Sequence, residues 1–181
     1  AELFVEENLV ACVSSVAASP QLHNIDIFTL FRQTGHDGLY FRGEQHPPIE
    51  LVYIEKGILH NFCEGQDLVL HPTEMLLFGP NQWHMQYADE EVQFLTISFL
   101  WEGHDFSDWY NRVITTSSDM QRAINAILQE YAQSQPDQEE FLNAQLKLLL
   151  LQILRRPKQI DKSRGSSPAV QQMHHQIINK A

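Results

Sequence analysis

The sequence predicts a mainly β protein, a small barrel followed by an antiparallel α-helical hairpin, and three observations predict it. From Ile25 to about Leu100, short β-type runs alternate with turn residues. After Trp101 the apolar spacing becomes helical. The 181 residues, 43% hydrophobic and 10% aromatic, hold enough apolar material for one core domain and a smaller appendage.

Eight runs carry the β pattern: Ile25 to Arg32, Leu39 to Arg42, Glu50 to Glu55, Ile58 to Cys63, Asp67 to His71, Met75 to Phe78, Trp83 to Tyr87 and Val92 to Phe99. Short strands at this spacing build a sandwich or a barrel. Lys56-Gly57 and Glu64-Gly65 are where the chain can take positive φ and reverse. Before Pro20 the pattern fits two structures: Asn8 can cap a helix through Val16, and the Val-rich segment fits a strand equally well.

Ser117 or Ser118 is a good N-cap for a helix carrying Met120, Ala123, Ile124, Ile127, Leu128 and Tyr131 on one face. Ser134-Gln135-Pro136 stops it. Asp137, Glu139 and Glu140 then place negative charge at the positive end of a second helix, which runs to the cations Arg155 and Arg156 with Pro157 beyond. This second helix is apolar almost all round near its end. One stripe suffices to pack a helix on its own domain, so Leu146, Leu149, Leu150, Ile153 and Leu154 are expected to form a homodimer contact.

The resulting domain map is a barrel over 1–112, a hairpin over 113–156, a polar linker over 157–168, and over 169–181 the opening of a further helix. Ser167-Pro168 supplies that helix with a cap and a proline at its first position. A lone helix after a linker has no core of its own, so a missing downstream domain is expected.

The formal charge is −11, spread unevenly. Residues 1–154 carry six basic and 22 acidic side chains, whereas 155–168 carry five basic and one acidic. Phosphate neutralisation needs Lys and Arg, so the body is not a DNA-binding surface. No apolar run is long enough to cross a bilayer and the first residues are acidic, so no membrane partner and a cytoplasmic location are expected. Cys12 and Cys63 read as two reduced, buried thiols. No nucleophile elbow, phosphate-binding glycine loop or zinc-type Cys/His spacing occurs.

One constellation carries chemistry. Gly38 is followed by five residues, then Glu44, Gln45 and His46, three residues, Glu50, six residues and Gly57. Further on, Glu74 through Phe78 leads over Gly79-Pro80-Asn81-Gln82-Trp83 to His84. His and Glu on neighbouring strands of a small barrel can point inward together, and alternation puts Glu50, Val52 and Ile54 on one face. The expected ligand-binding residues are His46, Glu50, His84, His60 and Gln86. No metal is favoured; a divalent cation, if held, would use Glu44, His46, Glu50 and His84, an N and O donor set. Trp83, next to His84, should point the opposite way and pack on the wall.

The first of these stretches resembles the first cupin motif with Glu44 in place of its first His, and the second resembles a degenerate second cupin motif. In order, Glu50-Leu-Val-Tyr-Ile-Glu-Lys-Gly57 and Met75-Leu-Leu-Phe-Gly-Pro-Asn-Gln-Trp-His84, then hairpin, linker and helix, look like an AraC-type transcription regulator up to the start of its helix-turn-helix domain. The resemblance implies a cupin-like jelly-roll barrel that binds a small-molecule effector, a hairpin that makes a homodimer, and DNA contact only through the missing C-terminal domain. Regulation rather than catalysis is therefore expected, with a metal-dependent cupin enzyme, a dioxygenase or sugar isomerase, as the alternative.

Overall fold

A computed structural model describes residues 24–133 and 135–157. The expectations for Cys12, for the segment before Pro20, for most of the linker and for the helix over 169–181 lie outside the described residues. Within them, nine strands, one 3-10 turn (Ser107–Trp109) and two α-helices occur. The strands are β1 (Asp26–Gly35), β2 (Leu39–Glu44), β3 (Ile49–Lys56), β4 (Leu59–Cys63), β5 (Gln66–Leu70), β6 (Glu74–Phe78), β7 (His84–Ala88), β8 (Val92–Leu100) and β9 (Ile114–Thr115). The helices are α1 (Ser118–Tyr131) and α2 (Gln138–Leu154).

The strands form two antiparallel sheets, ordered β1-β8-β3-β6-β9 and β2-β7-β4-β5. The first eight strands alternate between the sheets, apart from the β4–β5 hairpin, and make a jelly roll, the double-sheet arrangement that cupins share. The reversals sit where the sequence placed them: Gly57 and Gly65 have φ of 80° and 76°.

Alternation along the strands sorts side chains into two cores. Val52, Ile54, Leu59, Leu70, Leu76, Phe78, Val92 and Phe94 fill the barrel between the sheets, with Cys63 among them. Burial pushes the Cys63 thiol up to about 12, and Glu64 adds to it, so it stays protonated and inert. The other parity of the five-stranded sheet, Ile49, Leu51, Tyr53, Met75, Leu77, Leu95, Ile97 and Phe99, packs against the helices. Strands β3, β6 and β8 are thus buried on both faces.

The hairpin is built on that outer face. Ser117 caps α1 by accepting from the Met120 amide at 3.3 Å, and Met120, Ala123, Ile124 and Ile127 turn inward. No side chain caps α2. Instead Gln138, at its first turn, donates to the Glu130 carbonyl at 2.8 Å and to that of Gln133, tying the start of α2 to the end of α1. Asn143 holds the start of β1 with two bonds to Ile25, and Lys147 donates to Asn24 at 3.1 Å.

Here the structure corrects the dimer expectation. Leu146, Leu149, Leu150 and Ile153 are at most 1% exposed, sunk in the core of one chain, and Leu154 is half-buried against the same core. The physical reason is the second apolar face of the sheet. Runs such as Leu51-Val-Tyr-Ile54 and Leu95-Thr-Ile-Ser-Phe99 are not half-buried strands, and a sheet buried on both sides needs a covering layer. The short β9 carried no strand signal; it pairs Ile114 and Thr115 with β6, and the Thr116 hydroxyl and amide both bond the Thr73 carbonyl. No helix among the described residues is long and apolar enough to cross a membrane.

Candidate functional site

Two rows of register partners face one another at one end of the barrel. In the five-stranded sheet the row is Thr29, Ser98, Glu50 and Phe78. In the four-stranded sheet it is Glu44, His84, Cys63 and Gln66. A register shift between Phe41 and Glu44 turns Glu44 to the inside of β2, opposite His84. His46 follows on the β2–β3 connection. Ligand atoms of Glu44, His46, Glu50 and His84 all lie within 4.8 Å of one another.

Glu50 and His84 are 4% and 2% exposed, while the Glu44 side chain is 60% exposed, so the cluster has a buried floor and an open rim. His46 Nε2 lies 3.0 Å from Glu50 Oε2; His84 Nε2 lies 3.6 Å from Glu50 Oε1 and 3.7 Å from Glu44 Oε1. The far nitrogens are held by backbone carbonyls. His46 Nδ1 donates to the Pro48 carbonyl at 3.0 Å, and His84 Nδ1 to that of Gln82 at 2.9 Å. A carbonyl only accepts, so each Nδ1 carries a proton and each Nε2 presents a lone pair to the cluster in the neutral ring.

That arrangement asks for a positive species. A neutral imidazole lone pair 3.0 Å from a carboxylate oxygen is repulsive unless a proton or a cation lies between them. At His46 a proton can answer: its hydrogen bond to Glu50 outweighs burial and raises the His46 pKa. Burial works against the Glu50 charge, but the hydrogen bond of His46 and the nearby charges of His84 and His46 hold its pKa below the ordinary range. At His84 nothing answers: its Nε2 is buried without a hydrogen-bond partner. Phe78 stacks on this ring, centroids 4.1 Å apart and planes 13° apart, and keeps water from that face.

The residues therefore fit a divalent cation. Two imidazole nitrogens and carboxylate oxygens are the ligand types that zinc, manganese, iron and nickel take, and carbonyl contacts to the rear nitrogens are the usual support for such ligands. Glu44 stands where the cupin resemblance has a histidine, and it still delivers a donor atom.

One layer deeper lie Thr96, Val52 and Leu76 of one sheet and Phe41, Gln86, Asn61 and Leu68 of the other. Asn61 donates to the Leu59 and Leu68 carbonyls at 3.1 and 3.0 Å, which assigns its amide nitrogen. Its Oδ1 must then accept, and Gln86 Nε2 donates to it at 3.0 Å. This leaves Oε1 of Gln86 as an acceptor turned away from Asn61. Thr96 Oγ1 is buried with no partner. Thr96 and Asn61 lacked any motif; only parity on β8 and β4 could have singled them out.

Of the expected ligand-binding residues, His46, Glu50 and His84 come together and Gln86 lies directly below. His60 does not, which corrects the expectation. On β4 it is Leu59, Asn61 and Cys63 that face the barrel, so His60 faces outward, 2.8 Å from Asp67 Oδ2 and stacked on Tyr87 at 4.4 Å. Trp83 packs on the wall as expected: a Cβ at Gly43 would meet its indole at 2.0 Å.

No family model matches the sequence, and no curated protein matches it. Similar solved structures exist. One is a cupin superfamily protein from Desulfitobacterium hafniense, 21% identical, covering 44% of this chain and 71% of that one at a TM-score of 0.37. Another is a cupin-2 domain containing protein from Shewanella frigidimarina, 16% identical over 46% and 87% of the two chains, TM-score 0.35. A third is the cupin-2 domain of an XRE family transcriptional regulator from Enterobacter cloacae, 18% identical over 41% and 92%, TM-score 0.34. At such scores these likenesses decide nothing about this chain, and its jelly-roll assignment rests on strand order and register.

Proposed function

We propose that this chain is the effector-sensing and dimerisation part of an AraC-type transcription regulator, and that its barrel binds a small polar effector through a divalent cation. The observation that carries the binding site is the buried, unpartnered Nε2 of His84, aimed into a cluster with Glu44, Glu50 and His46. The cation would be held by those four residues and would act as a Lewis acid that takes an oxygen of the effector. Glu50 supplies the buried charge, His46 and His84 the nitrogens, and Glu44 the rim ligand that an effector can displace. Below them, Gln86 offers an acceptor, which suits an effector bearing a hydroxyl group such as a sugar, polyol or hydroxy acid.

The dimer contact moves to the face of α2 that its own domain leaves open. Phe141 and Leu148 are 40% and 48% exposed and seven residues apart, two turns along one stripe. The order of motifs, barrel, hairpin and basic linker supports the regulatory reading.

The alternative is a metal-dependent cupin enzyme, a dioxygenase or sugar isomerase, favoured by the exposed Glu44 side, where a cation would keep positions open to substrate. One experiment separates the readings: elemental analysis of the purified protein, followed by thermal unfolding with hydroxy acids and sugars present. Bound cation with effector stabilisation and no turnover supports sensing. Turnover of any of these compounds supports the enzyme, and a protein that neither retains nor takes up a cation removes the metal from both.

A further inference from the structure

Both histidine-bearing segments converge on one four-residue turn, Gly79-Pro80-Asn81-Gln82, between β6 and β7. The Asn81 amide donates to the His46 carbonyl at 2.8 Å. The Gln45 side chain donates to the Asn81 carbonyl at 2.7 Å. The Gln82 carbonyl accepts from His84 Nδ1. The turn is itself closed, since the Gly79 amide donates to Gln82 Oε1 at 2.9 Å and the Gln82 amide to the Gly79 carbonyl at 3.3 Å.

Its shape is demanding. Asn81 has a φ of 55°, the left-handed region that Asn tolerates and β-branched residues do not. Gly79 is wedged against Tyr110, whose ring a Cβ would meet at 2.9 Å. The β2–β7 ladder pairs Glu44 with His84 but ends there; beyond it the turn holds the His46 segment beside β7, while Glu50 on β3 bonds His46 across the space the cation would fill.

We propose that this turn sets the distance between the two histidine donors, with Gln45 and Asn81 as positioning residues for cation binding. The inference rests on the reading of the cluster as a cation site. Gln45 draws the turn onto the His46 segment, and the left-handed Asn81 aims its amide at the His46 carbonyl while the next carbonyl aims at His84. Displacing the turn would shift both donors together with the hydrogen bond that keeps the lone pair on His84 Nε2. Removing a group that orients a ligand costs 10- to 100-fold in metal affinity.

The test uses Co2+ as probe on the chelator-treated chain. Wild type, Gln45→Ala, Asn81→Val and Asn81→Gly are titrated calorimetrically and by the visible Co2+ absorption bands, with thermal unfolding of the metal-free forms and imidazole 15N NMR alongside. Gln45→Ala and Asn81→Val are expected to lose at least 10-fold in affinity and to alter the bands. Asn81→Gly, which keeps both backbone groups and accepts positive φ, should bind as wild type. Unchanged affinity and bands in Gln45→Ala and Asn81→Val would overturn the proposal, as would equal loss in Asn81→Gly. If wild type takes no Co2+, the cation reading fails instead, and NMR of the metal-free forms decides. A His84 ring held in the Nδ1–H form in wild type and Asn81→Gly but not in Asn81→Val sustains the positioning role, and identical spectra in all three reject it.

Discussion

His84 Nε2 and Glu50 Oε1 lie 3.6 Å apart at the floor of the barrel mouth, one unpartnered and the other on a carboxylate whose charge burial opposes. Water cannot reach that nitrogen, and the Nδ1 bond to the Gln82 carbonyl keeps its lone pair turned to the cluster. The pair is therefore a ready place for a cation, and it accounts for the first prediction.

Adding Zn2+ or Mn2+ to chelator-treated protein should raise the melting temperature. At a free cation concentration 100 times the dissociation constant, the gain is about 2.7 kcal/mol. His84→Ala and Glu50→Ala should lose that gain, and Glu44→Ala should lose less because its side chain sits at the exposed rim. A melting curve that millimolar cation leaves unmoved would refute the donor assignment.

Leu148 and Leu149 are neighbours in sequence and opposites in the fold. Leu148→Lys combined with Phe141→Glu should leave the far-UV spectrum intact and shift light scattering from dimer to monomer, because both side chains point outward. Leu149→Lys should instead unfold the chain, since an unpaired charge in a fully buried site costs several kcal/mol. Dimers that survive the double substitution would place the contact on another surface.

Asn143 on α2 accepts from the Ile25 amide at 2.9 Å and donates to the Ile25 carbonyl at 2.8 Å, across 118 residues of chain. Asn143→Leu would leave two buried backbone groups of Ile25 unsatisfied. The expected loss in urea unfolding is roughly 2 to 4 kcal/mol, well above that of a surface substitution on the neighbouring helix, such as Gln129→Ala on α1. A loss within error of the Gln129 variant would mean that water replaces the amide.

His60 and Asp67 predict a pH dependence away from the candidate cation site. The hydrogen bond and charge of Asp67 raise the His60 pKa against partial burial. A group whose folded pKa is raised stabilises the fold below its unfolded value, near 6.5, and loses that contribution as pH rises through the folded value. The stability difference between wild type and His60→Gln should therefore be greatest near pH 5.5, about 1 kcal/mol or more for a charge-assisted bond, and should shrink in alkaline buffer. Denaturation series at four pH values check it, and a difference that grows with pH has the wrong sign for this pair.

Much of this was legible beforehand. Turn residues such as Gly57 and Gly65 marked the reversals, and eight apolar runs became eight strands within about three residues at each end. The Ser117 cap and Pro136 bounded the helices. Spacing also picked out Glu44, His46, Glu50 and His84 as a set. What spacing could not tell was parity: alternation says that His60 and Asn61 face opposite ways, not which of them faces in. Packing decided that, because Asn61 finds two carbonyls and an amide inside while His60 finds Asp67 outside.

The sequence by itself determined where the chain is extended, where it turns and where it is helical, since those follow from propensity and period within a few residues. Only the tertiary structure decided what each face meets. The apolar run of α2 joins α1 in covering the second face of the five-stranded sheet, which would otherwise stand open to water. The four donors converge because register places Glu50 and His84 in opposing rows while the turn at Asn81 holds His46 beside them. Contacts between residues far apart in sequence depend on the relative placement of whole strands, which no local pattern records.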